Sequence, residues 1–237
     1  MEKLSSIYQR AEDRKGGEGN LSLLLTPYHT EAANNQELAQ LGDDRFLAHF
    51  TKKVFQSGFV WRVVEQKWPD FEEHFFQFDI FKIMMMSEEM LEKKAQDPKI
   101  IRNFKKVQTI KANAQMIYDV QVEDNGYESF AEFISAWPED DIIGLWAYLK
   151  KHGQRLGGNT GPYALRALGK DTFLLSRDVE SYFREHKLID GGLTTKSSLN
   201  TIQRCFNEWQ QESGYSLQTL SRLISYSCGD NSIQVGL

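Results

Sequence analysis

Cysteine is scarce in this chain. Only Cys205 and Cys228 occur among 237 residues, too few for a disulfide framework and too few for a cysteine-rich zinc site. Long apolar runs are missing, which argues against a membrane-spanning helix, and residues 1–10 hold no signal-peptide core. A cytoplasmic protein with no membrane partner is the expectation. Alternating strand patterns and internal repeats are also missing, so the expected fold class is all-α. What the chain does have is 41% apolar against 26% charged residues, enough to bury a core as one domain or as two closely packed lobes. The net charge of −5 argues against indiscriminate coating of nucleic acid. It leaves room for a local basic stripe.

Such a stripe is present. Between Lys93 and Lys111 stand seven basic residues and one acid, Asp97, whereas residues 112–149 carry eight acids and no Lys or Arg. Blocks of opposite sign also arise as plain solvated helix faces, and both readings fit. Helical periodicity is clear where Phe46, Phe50 and Val54 follow Asp43-Asp44, and again over Ile100, Phe104, Val107, Ile110 and Ala114. A short helix is expected near Leu4, Ile7, Tyr8 and Ala11, then an irregular arm over 21–44 containing Pro27. Trp68-Pro69 and Asp97-Pro98 each read as a helix start. Later helices are expected over 177–186, 196–213 and 217–226, with a loose tail at 229–237.

The organising stretch is 141–179. An amphipathic helix ends near His152, a glycine-dense turn runs from Gly153 to Gly161, and a second helix follows to Leu168. Glycines at 157, 158 and 161 beside Asn159 expose several backbone N–H groups, the arrangement that binds a phosphate. Arg155, Lys150, Lys151, Arg166, Lys170 and Arg177 add positive charge around it. A helix C-cap followed by an ordinary αα turn fits the same residues.

The run from Leu156 to Val179, LGGNTGPYALRALGKDTFLLSRDV, resembles the helix-hairpin-helix element of the DNA glycosylase superfamily. Residues 46–118, with QSGFVW at 56–61, FFQFD at 75–79 and IIRNFKKVQTIKANA at 100–114, resemble the 3-methyladenine DNA glycosylase I family in order and spacing. The resemblance implies an all-α, helix-hairpin-helix glycosylase-like fold of two closely packed lobes with a cleft between them. It implies domain limits at 1–44, 45–228 and 229–237, with the helix-hairpin-helix at 141–168. It also implies a monomer that binds double-stranded DNA containing a damaged base, needs no cofactor, and excises an alkylated or modified purine. A catalytically inactive DNA-binding protein on the same scaffold is the alternative.

Base excision requires a pocket that receives a flipped nucleotide between aromatic surfaces. By resemblance Trp61 stacks on the base, Gly58-Phe59 plugs the vacated space, and Gln56 and Lys53 line the pocket. Core packing is the competing account of Phe55, Phe59 and Trp61. The hairpin residues Gly157, Gly158, Asn159, Thr160 and Gly161, with Arg155 and Lys170, are expected on the DNA backbone. Departures from the family accompany these matches. The hairpin is one residue longer than usual, and Lys53 stands where the family carries a base-reading glutamate, so a cationic purine would meet an ammonium. Ser176 occupies the place of the superfamily's catalytic aspartate, with Asp178 two residues on as the candidate catalytic carboxylate. Helix capping by Ser176 and Asp178 is the other reading. Tyr163 replaces the lysine of bifunctional members, which implies no strand-cleaving lyase activity.

The family's zinc site joins its chain ends through two cysteines and two histidines. Here the N-terminal region has no cysteine, and Tyr28-His29 matches only superficially, so no metal is expected. Elemental analysis of purified protein is expected to find no stoichiometric zinc.

Overall fold

The computed structural model describes residues 2–30, 35–123, 126–229 and 231, without the side chains of residues 29 and 30. The His29 ring and most of the expected tail therefore lie outside the described residues. Within them the chain is helical, with no strand and no helix long and apolar enough to cross a membrane. It divides into two compact units, Met1–Ala33 with Pro138–Ile143 and Asp171–Leu237, and Asn34–Trp137 with Gly144–Lys170.

The first unit starts with α1 (Leu4–Lys15) and α2 (Glu18–Thr30). Helix α2 corrects the expected irregular arm. Leu21 and Leu25, one turn apart, are both buried, and burial of that face outweighs the donor lost at Pro27.

The second unit holds α3 (Asn35–Ala39), α4 (Asp43–Gln56), α5 (Trp61–His74), α6 (Ile80–Met84), α7 (Glu88–Ala95), α8 (Phe104–Val122), α9 (Phe130–Ala136), most of α10 (Ile142–His152) and α11 (Thr160–Leu168). Helix α4 is its hub, packing on α5, α8, α9 and α11. Its buried face carries Phe46, Phe50, Val54 and Phe55, and Phe46 meets Phe130 of α9 edge-on at 5.5 Å. Two expected helix starts move. Helix α5 begins at Trp61, eight residues before Pro69, because Val64 and Phe71 sit two turns apart on one buried face and keep the segment helical across the proline. Asp97 instead closes a turn by accepting from the Lys99 N–H at 2.8 Å. Asn103 caps α8 by accepting from the Lys106 N–H at 3.1 Å.

The first unit resumes with α12 (Arg177–Glu185), α13 (Lys196–Ser213) and α14 (Leu217–Ser227). Helix α14 packs against α1, α2, α12 and α13, and Phe173 stacks on Phe206 at 4.1 Å. Asp171 accepts from the first two N–H groups of α14, Leu217 at 2.8 Å and Gln218 at 2.9 Å. Glu2 takes a forked pair of bonds from Arg10 and one from the Tyr182 hydroxyl at 2.9 Å. The guanidinium holds its carboxyl below the usual range.

In the second unit Asp43 plays the part that Asp171 plays in the first. Its carboxylate accepts from Phe130 N at 2.9 Å, Ala131 N at 3.0 Å and Gln121 Nε2 at 2.7 Å, joining the first turn of α4 to the open end of α9. Asp43→Ala is expected to lower unfolding stability by about 2 kcal/mol in urea titration.

Candidate nucleic-acid interface

Helix α4 ends in a turn that Gly58 makes possible at φ 84°. The turn is latched from α8. The buried Lys106 ammonium donates to the carbonyls of Val54 at 2.8 Å, Phe55 at 3.2 Å and Ser57 at 2.5 Å, and lies 4.7 Å over the Phe59 ring. A cation on the last carbonyls of a helix also complements its dipole. Phe59 and Trp61 emerge from this latch 39% and 52% exposed. That degree of exposure removes core packing as the account of either ring, whereas Phe55 is fully buried against Phe71.

The hairpin is built on close backbone approach. The Gly161 N–H donates to the Leu156 carbonyl at 3.1 Å, and a Cβ on Gly161 would lie 2.5 Å from that oxygen. Asn113, buried on α8, grips Gln154 from both sides, accepting from its N–H at 2.7 Å and donating to its carbonyl at 3.2 Å. Arg155 follows in the left-handed region at φ 60°, exposed to solvent. The N–H groups of Gly157 and Gly158 have no acceptor among the described residues.

These two elements share one cavity of 170 Å³, lined by Lys53, Gln56, Ser57 and Trp61 from α4 and α5, and by Asn159, Thr160 and Tyr163 from the hairpin and α11. Trp61 meets Tyr163 edge-on at 6.2 Å. The Lys53 ammonium stands 4.9 Å from the indole centroid and donates to Gln56 Oε1 at 2.9 Å. The Gln56 amide in turn donates to Glu65 Oε1 at 2.8 Å, and Lys52 holds Glu65 Oε2 at 2.7 Å. Burial and then Lys52 hold the Lys53 pKa below the lysine range. His49, one turn earlier, is pushed down to about 4 by burial first and Lys52 and Lys53 next, so it is neutral at pH 7.

Several expected residues stand elsewhere. Phe59 is not among the cavity-lining residues. Lys170 is fully buried and donates to the carbonyls of Ser135 at 3.1 Å and Trp137 at 2.8 Å, so its charge does not face solvent. Within the basic block Lys94, Lys106 and Lys111 likewise donate to backbone carbonyls, whereas Lys93, Lys99, Arg102 and Lys105 are exposed. Ser176 caps α12 by accepting from Val179 N at 3.3 Å. Asp178 belongs to the first unit and is absent from the cavity lining. It accepts from Ser225 at 2.9 Å and Asn231 at 3.1 Å, and a Cβ on Gly229 would lie 2.5 Å from its Oδ1. Lys106 and Asn113, the residues that fix the turn and the hairpin, carry no local sequence signal beyond polarity on an apolar helix face.

An all-helical chain with a helix-hairpin-helix is the architecture of helical DNA glycosylases. The 8-oxoguanine glycosylase/lyase of Methanocaldococcus jannaschii, solved with a 15mer DNA containing 8-oxoguanine, shares the fold at a TM-score of 0.56. That match covers 93% of this chain and 96% of that one at 13% identity. A model of the methyladenine glycosylase family matches residues 25–164, more than half of the chain, and the chain belongs to that family. DNA-3-methyladenine glycosylase 1 of Escherichia coli (strain K12) is 39% identical over 79 residues, 33% of this chain and 41% of that protein. The match thus spans about two fifths of that relative's length. A crystal structure of 3-methyladenine DNA glycosylase I is 30% identical over 52% of this chain and 77% of its own, with a TM-score of 0.43.

Asn113→Ala is expected to destabilise the protein by about 2 kcal/mol, since it leaves both backbone groups of Gln154 without partners. Hydrogen exchange should quicken first at residues 154–161.

Proposed function

We propose that this protein is a monofunctional DNA glycosylase that hydrolyses the N-glycosidic bond of an alkylated or otherwise modified purine in double-stranded DNA, as a cytoplasmic monomer without a cofactor. One juxtaposition carries the reading: the exposed indole of Trp61 and the hairpin residues Asn159 and Thr160 surround the same cavity. An aromatic face at a cavity suits a base turned out of the stack, and amides next to it suit the phosphates that flank that base.

In the proposed sequence of events the Gly157 and Gly158 amides and the exposed Arg155 take the DNA backbone. The damaged nucleotide swings into the cavity onto Trp61, and Phe59, on its latched turn, fills the gap it leaves, a wedge role that suits an exposed apolar ring. Water then replaces the base at C1′. Tyr163 offers no amine to the sugar, in keeping with hydrolysis without strand cleavage. Asp178 enters as a structural acceptor for Ser225 and Asn231.

A second reading, a DNA-binding protein without catalysis, is favoured by one observation: no carboxylate lines the cavity among the described residues. Release of free base from duplex DNA treated with a methylating agent or with nitrous acid separates the two. Trp61→Ala is expected to slow release by about 100-fold while only modestly weakening duplex binding. Salt-sensitive DNA binding with no base released from either substrate by the wild type would select the second reading.

A further inference from the structure

Among the described residues lining the Trp61 cavity, Lys53 alone is charged. Its surroundings fix what it has to offer. Gln56 accepts one of its three N–H groups, and no other acceptor among the described residues takes the remaining two. Glu65 is the nearby acid in this network: it attracts the Lys53 ammonium from outside the cavity lining, and its two oxygens are held by Gln56 and Lys52. The half-buried ammonium stands 4.9 Å from the indole centroid. That face is where a cationic guest would gain most, and the protein's own cation holds it.

We propose that the pocket selects a formally neutral purine whose edge toward Lys53 carries hydrogen-bond acceptors, a carbonyl-bearing base of the hypoxanthine or guanine type, and discriminates against N-alkylated purinium ions. This inference rests on the glycosylase reading above and names the substrate class within it. A purinium ion entering the cavity meets an ammonium at short range with no carboxylate among the described residues that line it. A neutral purine instead meets two unused donors.

The same ammonium addresses the chemical difficulty of a neutral substrate. When the C1′–N bond breaks, the electron pair leaves with the base, and negative charge develops on the ring nitrogens and the carbonyl oxygen. A purinium needs no help at that step, whereas a neutral base does. Lys53 donates a proton to the departing base, water supplies hydroxide to C1′, and the proton left from that water restores the ammonium. Burial weakens the hold of Lys53 on its proton, which eases the transfer.

The test is single-turnover base release from two duplexes that differ at one position, hypoxanthine in one and 7-methylguanine in the other. Each rate is divided by its spontaneous depurination rate, because the cationic base leaves faster unaided. The wild type is expected to accelerate hypoxanthine release about 100-fold more than 7-methylguanine release. Lys53→Gln should abolish that difference, Lys53→Arg should retain most of it, and Lys53→Glu should favour 7-methylguanine, with circular dichroism confirming that each variant is folded. Greater acceleration for 7-methylguanine by the wild type, or unchanged hypoxanthine release in folded Lys53→Gln, overturns the substrate assignment and leaves the glycosylase reading standing. No release of either base by a wild type that binds both duplexes overturns that reading, and this inference falls with it.

Discussion

A side-chain carbon at position 161 would come within 2.5 Å of the Leu156 carbonyl oxygen, nearer than such atoms pack. The hairpin closes only with glycine there. Closure brings α11 onto α4, and with it Asn159, Thr160 and Tyr163 to the rim that Lys53 and Trp61 form. The grip of Asn113 on Gln154 holds the other arm of the hairpin, and the exposed left-handed turn at Arg155 is the strained residue between the two anchors. The N–H groups of Gly157 and Gly158 lie between these anchors and have no acceptor among the described residues.

Lysines divide into two kinds in this molecule. Lys106 and Lys170 are buried and donate hydrogen bonds to backbone carbonyls near helix ends, where a positive charge offsets the dipole and satisfies groups that helices leave open. Lys53 is the other kind. It faces a cavity, has donors to spare and no carboxylate beside it among the described lining residues, and on the proposed reading that charge sets a site with a suitable indole against a cationic base. An enzyme site is often the place where local electrostatics departs from what stability alone asks for.

The matched family residues end inside α11, and α12–α14 lie beyond them. Cohesion of this C-terminal part is apolar and aromatic. Phe173, Phe206, Phe183 and Trp209 form one ring cluster, and Trp209 Nε1 donates to the Glu2 carbonyl at 3.1 Å. Glu2 also receives Arg10 and Tyr182, so one acid near the N-terminus joins α1 and α12. Such packing closes a small unit through buried area and directed hydrogen bonds.

Local sequence carries most of the helices, because apolar spacing and cap residues act within a few positions of each other. Phe46, Phe50 and Val54 announced α4, Ser176 announced the start of α12, and the glycines at 157, 158 and 161 announced a hairpin. Proline misled at Pro27, Pro69 and Pro98, where tertiary burial or an Asx turn outweighed the local rule. Distance along the chain is the reason for the rest. Whether Lys170 faced solvent or the Ser135 carbonyl, whether Asp178 met Ser225, and whether Glu65 entered the cavity or was tied to Lys52 depended on partners that folding alone brings near. The residues by themselves determined an all-α glycosylase relative with an aromatic at 61 and an ammonium in place of a carboxylate at 53. Only the tertiary structure decided that the indole is open, that the ammonium stands over its face, and that the hairpin shares their cavity, because charge and exposure belong to assembled surroundings rather than to residue types.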